Sequence, residues 1–352
     1  MALPLKRDKI IETVRVWLAS GRYAPGDRFP SDQELARKFR VTHVTVRGAL
    51  RAFVDEGALE RRIGWGTVVR DPATGPRLAA DALVSAVGVA VPDSTYSFFN
   101  EVLRAIEAEL HSTKRPLVLG HTWELAARED TVVRGWAEQG LTRIIVASSG
   151  GCKALYQELL GRGVRVIFVD RQPAGLDAPA VTSRDEQGAF ALTKHLLSAG
   201  SERVFHLAGP PGASTARARV EGFVAACQDA GLRNAKRQVV PAGFFMEDGY
   251  RATRALLAKC SEPPQAIFAA NDPVAVGALR ALAEDGLEVP GDVRVAGYGD
   301  TDLGRNFSLT TVRQFPERMG TEAVRLLLST EPVGQKASVV IEPEVIVGKT
   351  SS

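Results

Sequence analysis

Near the start of the chain apolar residues recur at helical spacing. Ile10, Ile11, Val14, Trp17 and Leu18 share one face of the segment from Arg7 to Ser20, which predicts a first helix. Tyr23-Ala-Pro-Gly-Asp27 follows with turn chemistry. Ser31 then stands three residues before Glu34, the spacing at which a hydroxyl and a carboxylate satisfy each other's backbone amides. A second helix therefore starts at Ser31 and buries Leu35 and Phe39. After a break at Arg40-Val41, Thr42 caps a third helix that runs to about Glu56, with Val46, Leu50 and Phe53 inward and Gly57 as its stop. The period then shortens to two. Leu59–Arg62 and Thr67–Val69 read as strands around Ile63-Gly-Trp-Gly66, whose glycines permit a tight exposed turn.

Residues 71–85 carry Pro72, Gly75 and Pro76 without periodicity and read as a linker. From Ala86 the pattern changes character. Short β-branched runs at Val87–Val91, Leu117–Leu119, Ile144–Val146, Val164–Val169, Val204–Leu207, Ala266–Phe268 and Val293–Ala296 alternate with helical stretches. Continuous apolar strands separated by helices predict parallel sheets covered on both faces. The stretch is long for one sheet and fits two similar lobes.

Three helices and a hairpin at the front make a winged helix-turn-helix over residues 1–70, and charge supports that reading. The net charge of +3 conceals a split, because residues 1–70 carry +6 and residues 71–352 carry −3. Polyanion binding is thus confined to the front. The opening turns of the third helix present Thr42, His43, Thr45 and Arg47. Threonines and a helix N-terminus suit phosphates, and Arg47 suits a phosphate or guanine O6 and N7. Arg61, Arg62 and the turn at Gly64 and Gly66 suit the adjacent minor groove. Singly, each is equally a cap or a solvated residue; the ordered series is what points to double-stranded DNA.

Over residues 7–70 the chain resembles the GntR family of bacterial regulators, through FPSDQELARKF, VTHVTVRGAL and VDEGALERRIGWGTVV in family order and spacing. The resemblance implies operator contacts by Thr42, Thr45, Arg47 and Gly66. Gln33, His43 and Trp65 stand where the family favours arginine or lysine, so the operator should differ from the usual family half-site. A dimer on two half-sites would compensate for weak binding by each copy.

In the rear part, ligand-binding groups should lie in loops after strand C-termini. Those loops hold Asp93, Ser94, Phe98 and Phe99, then Ser148, Asp170, Arg219, Asn271, Asp272 and Asp300. Carboxylates and amides near aromatic rings suit a neutral polyhydroxylated ligand, a sugar being the natural expectation. Asp93, Asp170 and Asp272 would serve equally as helix caps.

From about Ala86 to Val347 the chain resembles the LacI/periplasmic sugar-binding family, through VGVAVPDSTYSFFNEVLRAIEAEL, VIFVDRQ, RARVEGFVAA, AIFAANDPVAVGALRALAEDGLEVPGDVRVAGYGD and LTTVRQ. A GntR-type reader on such a sensor is similar to the arrangement of arabinose-responsive repressors. The implied fold class is α/β, an N-terminal winged helix-turn-helix followed by a two-lobed periplasmic-binding-protein-like (type I) domain with parallel sheets. The resemblance adds Phe244 and Gln314 to the cleft and implies a homodimer, with the helix Phe99–Ser112 in its surface. It puts lobe 1 at about 86–184 and 310–332 and lobe 2 at about 185–309 and 333–350, with crossings near Arg184, Leu309 and Val333. Gly299 stands where the family commonly has a ligand-binding aspartate, leaving Asp300 nearest. Arg184-Asp185 stands where the family has Asp-Asn, and an arginine gained there favours a ligand bearing negative charge.

Catalysis is not expected. The chain has no phosphate-cradling Gly-x-x-x-x-Gly-Lys-Ser/Thr loop, no Gly-x-Ser-x-Gly elbow, no His-Glu-x-x-His pair and no Gly-x-Gly-x-x-Gly after the first strand. No cofactor or metal is expected. Cys152, Cys227 and Cys260 are too widely spaced for a disulfide framework or a zinc site. Without a membrane-length apolar run or a signal-like apolar core near its start, the chain is expected in the cytoplasm.

Overall fold

The computed structural model describes residues 6–19, 22–24, 26–55, 58–62, 66–69, 85–93, 97–198, 200–329 and 337–352. Contacts divide the chain after Ala80 into a front and a rear unit. The front unit contains α1 (Lys6–Ala19), α2 (Asp32–Phe39) and α3 (His43–Asp55), then an antiparallel hairpin of β1 (Leu59–Arg62) and β2 (Gly66–Val69). Capping chemistry sets these boundaries. Ser31 Oγ accepts from the Glu34 amide at 3.2 Å, and Glu34 Oε2 accepts from the Ser31 amide at 2.7 Å. Arg40 ends α2 in the left-handed region, at φ +52°, and Thr42 Oγ1 accepts from the Thr45 amide at 3.3 Å to open α3. Ile10, Val14, Trp17, Leu35, Val46, Leu50 and Phe53 meet in one core with Phe29, Leu59 and Val69. Phe39 is only half-buried, tilted against Trp17. Gly57, the wing turn at 63–65 and linker residues 71–84 lie outside the described residues.

The rear unit is built on two parallel sheets. The first contains β3 (Val87–Val91), β4 (Leu117–His121), β5 (Arg143–Val146), β6 (Arg165–Val169), β7 (Ala180–Ser183) and β13 (Val339–Ile341), in the order β13-β7-β6-β5-β3-β4. Alternate residues feed two cores. Val89, Ile145 and Ile167 pack on one face, under α4 (Ser97–Ser112) and α12 (Pro316–Leu328). Ala90, Ile144, Val146 and Phe168 pack on the other, under α5 (Ala126–Glu138) and α6 (Lys153–Gly161). Two buried faces explain why the strands read as unbroken apolar runs.

The second sheet runs β11-β10-β8-β9, from β8 (Val204–Ala208), β9 (Val239–Pro241), β10 (Ala266–Ala269) and β11 (Arg294–Ala296). Around it pack α7 (Asp185–Ser198), α8 (Ser214–Asp229), α9 (Met246–Leu257) and α10 (Asp272–Glu284). The short helix α11 (Asp302–Asn306) follows β11.

Three crossings join the lobes, and two fall elsewhere than the sequence suggests. After Ser183 the chain leaves the first lobe, as expected near Arg184. β12 (Thr311–Arg313) pairs with β14 (Glu344–Ile346), and Thr310 bridges to Ala296, so residues 310–313 belong to the second lobe. Val339–Ile341 pairs with Val181–Ser183, so it belongs to the first. The second and third crossings therefore lie at Gln314-Phe315 and Glu342-Pro343, instead of near Leu309 and Val333. Strand pairing decided this, and three-residue strands give little periodic signal.

Candidate functional site

Loops after the strand ends of both sheets converge on a cleft of about 530 Å³, including its open mouth. Phe98 and Phe99 enter at the start of α4, Glu124 after β4, and Asp170 and Arg171 after β6. From the second lobe come Phe244 after β9, Asn271 after β10, Tyr298 after β11 and Arg219 from α8, with Gln314 at the second crossing.

Two buried arginines dominate the electrostatics. Arg171 donates through Nη1 and Nη2 to the two carboxylate oxygens of Glu124 at 2.9 and 3.0 Å, and its Nε lies 3.4 Å from Asp170 Oδ2. Its guanidinium carbon is 5.5 Å from the Phe99 ring centre and 5.6 Å from that of Phe244, between rings of opposite lobes. Arg219 stacks 3.8 Å above Tyr298 and donates to Asp185 Oδ1 at 2.8 Å, to the Ala270 carbonyl at 2.7 Å and to Gln314 Oε1 at 3.3 Å.

Asp170 is buried and left-handed at φ +63°, and its Oδ1 has no hydrogen-bond partner. Burial pushes its carboxyl up to about 6, against the pull of Arg171 and Arg219. Burial also raises Asp185, again opposed by Arg219.

The structure thus brings Phe98, Phe99, Asp170, Arg219, Phe244, Asn271 and Gln314 together around the cleft. Other expected residues are spent elsewhere. Ser148 Oγ donates to the buried Glu129 at 2.7 Å. Asp272 accepts from the Thr301 amide and hydroxyl at 2.8 Å each and from Thr311 at 2.6 Å, so it ties α10 to the loop after β11. Asp300 faces Arg305 at 3.3 Å and is no substitute for a side chain at Gly299, whose φ of +134° suits glycine. Arg184 is half exposed and pairs with Glu342 outside the cleft, so it supplies no anion-binding charge there. Asp93 is half-buried and acts through its charge on His121 rather than lining the cavity, and Ser94 lies outside the described residues.

Sequence reasoning missed Glu124, Arg171, Asp185 and Tyr298. Arg171 and Tyr298 sat inside loops already singled out, one residue from aspartate and from glycine. Nothing local marked Glu124, because its role depends on a pairing across 47 positions of sequence.

In the front unit Gln33, Thr42 and His43 are exposed, as is Arg47, whose Nε lies 3.3 Å from Asp32 Oδ2. Thr42 and Thr45 share a hydroxyl hydrogen bond of 2.9 Å at the head of α3. Gly66, at φ +89°, opens the second wing strand opposite Arg62, whose side chain lies outside the described parts, as does all of Gly64.

Residues 6–69 match bacterial regulatory proteins of the gntR family, and residues 193–351 match a periplasmic binding protein-like domain. Over 244 residues the chain is 30% identical to the ribose operon repressor of Halalkalibacterium halodurans, covering 69% of this chain and 71% of that protein. This chain belongs to the same family of transcriptional repressors. Like that repressor, the HTH-type transcriptional repressor PurR of Pasteurella multocida is related to it, with 28% identity over 273 residues, 75% of this chain and 80% of that one. The repressor shares its rear fold with the transcription regulator CcpA of Lactococcus lactis, at a TM-score of 0.70 and 21% identity, over 76% of this chain and 99% of that chain. It is a DNA-binding regulator, not a catalyst, with a GntR-type reader in front of an effector domain. No helix among the described residues is long and apolar enough to cross a membrane.

Proposed function

We propose that this repressor acts in the cytoplasm as a homodimer whose grip on operator DNA is released when a neutral, polyhydroxylated ligand of monosaccharide size closes the rear cleft. The observation that carries the reading is the buried, unpartnered Oδ1 of Asp170 beside two arginines already neutralised by carboxylates. An acceptor without a donor suits a ligand hydroxyl, and the rings of Phe98, Phe99 and Phe244 suit the C–H faces of a sugar. The ribose operon repressor among the relatives makes a pentose the first candidate. The dimer surface includes α4 and the neighbouring edge strand β4, where Leu119 is exposed beside Leu103 and Leu117. A monomer in light scattering at working concentration would overturn that part.

The deciding experiment selects an operator from a random DNA pool and measures its binding by fluorescence anisotropy, with and without neutral pentoses and hexoses. Weaker binding in the presence of a sugar is expected; tighter binding would reverse the sign of control. Because Thr42, Thr45 and Arg47 are proposed to face the major groove, with Gln33, His43, Arg62, Gly64 and Gly66 nearby, Arg47→Ala should weaken the selected operator by about 10- to 100-fold. Its thermal stability should stay at that of the parent chain, since Arg47 is exposed.

Effector binding should also depend on pH. The ionised carboxylate of Asp170 accepts a hydroxyl more strongly than the neutral acid does, so affinity is expected to hold above pH about 6 and to weaken as pH falls through it, as calorimetry across pH 4.5–8 would show. The unliganded fold responds in the opposite sense. A carboxyl raised above its ordinary 3.8 contributes stability that is fully present below that value and lost as pH rises through about 6. A bound ligand hydroxyl offsets that loss.

A further inference from the structure

A buried guanidinium in a ligand cleft usually signals an anion site, yet in this cleft both forks are filled from within. Glu124 takes both terminal nitrogens of Arg171 side by side, at 2.9 and 3.0 Å, the arrangement a ligand carboxylate or phosphate would adopt. Arg219 is committed likewise to Asp185, Ala270 and Gln314. Two guanidiniums thus face three carboxylates, Glu124, Asp170 and Asp185.

The backbone shows what is needed to hold Glu124 there. Trp123 and Glu124 are consecutive non-glycine residues in the left-handed region, at φ +52° and +60°, a conformation that such residues occupy at a cost. The surroundings enforce it. The Thr122 and Trp123 amides donate to the carbonyls of Val91 and Pro92 at 2.8 Å each, and Arg128 lies 3.4 Å over the Trp123 ring. The Glu124 side chain is 21% exposed and lines the cleft, so a ligand meets it.

We propose that Glu124 is a specificity-determining residue: it stands in for a ligand carboxylate on Arg171 and so bars acidic sugars, leaving the cleft to neutral ones. The inference rests on the reading of the cleft as a sugar site. Removing the carboxylate frees the Arg171 fork and lowers the count of opposing charges from three to two. An acidic ligand then finds a preformed partner.

The test is calorimetry on the full chain with D-ribose, L-arabinose and D-glucose, beside D-ribonate, L-arabinonate, D-gluconate and ribose 5-phosphate. The parent chain should bind a neutral sugar and reject the acids. Glu124→Ala and Glu124→Gln should gain at least about tenfold affinity for the acid of that sugar, whereas Glu124→Asp should gain none. A gain of binding cannot arise from a damaged fold, and Glu124→Gln, equal in size, serves if the alanine variant melts early. Both variants rejecting every acid while the parent binds a neutral sugar would overturn the inference and leave the sugar reading intact. A parent chain that binds acids overturns both; one that binds none of these compounds overturns the sugar reading and the inference with it.

Discussion

Replacing Arg219 with methionine is expected to lower folding stability by about 3–5 kcal/mol and to abolish effector binding. Arg219 is almost fully buried in the second lobe, and it balances Asp185, which is equally buried. Methionine fills much of the volume but leaves the Asp185 carboxylate facing Gln314 at 3.4 Å without its paired cation. It also removes the plane stacked on Tyr298 and the donor to the Ala270 carbonyl. Breaking one side of a buried pair is worse than removing both. Urea denaturation should therefore show Arg219→Met with Asp185→Asn recovering most of the lost stability, while effector binding stays absent. If the single variant unfolds at the parental midpoint, the network carries no stability.

The second large effect concerns closure. Gly150, in the loop after β5, touches Gly212 across the cleft, and a Cβ built on it would lie 2.4 Å from the Gly212 carbonyl oxygen. Both partners are backbone of loops in opposite lobes, so a side chain there pushes the loops, and the lobes that carry them, apart. Gly150→Ala should weaken effector binding by at least about tenfold and leave operator DNA bound at sugar concentrations that release the parent chain. Gly150 also has φ +97°, so strain alone must be separated out. Gly140 does this: its φ is +89° and nothing lies within 4 Å of its Cβ position. Gly140→Ala should lose stability and keep parental effector affinity. Equal effector affinity in the two variants would refute the closure account.

The parts legible in the sequence were those fixed by local chemistry. Ser31 with Glu34, Thr42 with Thr45 and the β-branched runs each act within a few residues, and the elements they predict stand in the structure. The crossings were misplaced because β12, β13 and β14 are three residues long and owe their lobe to partners far away in sequence. The cleft was legible as a set of loops but not as a set of roles. Asp272 and Asp170 looked alike in sequence, each an aspartate just after a strand. Three hydroxyl and amide donors around Asp272 make it a structural tie, while Asp170 keeps one oxygen free. No single-chain pattern separates those outcomes, since the donors come from Thr301 and Thr311.

The return of the chain to the first lobe at Val339–Ile341 has a consequence for synthesis. The first sheet lacks its β13 edge until that segment has left the ribosome. The front unit, finished within the first 80 residues, precedes it by roughly tens of seconds at ordinary rates of elongation. During that interval a newborn DNA reader exists without a functioning sensor.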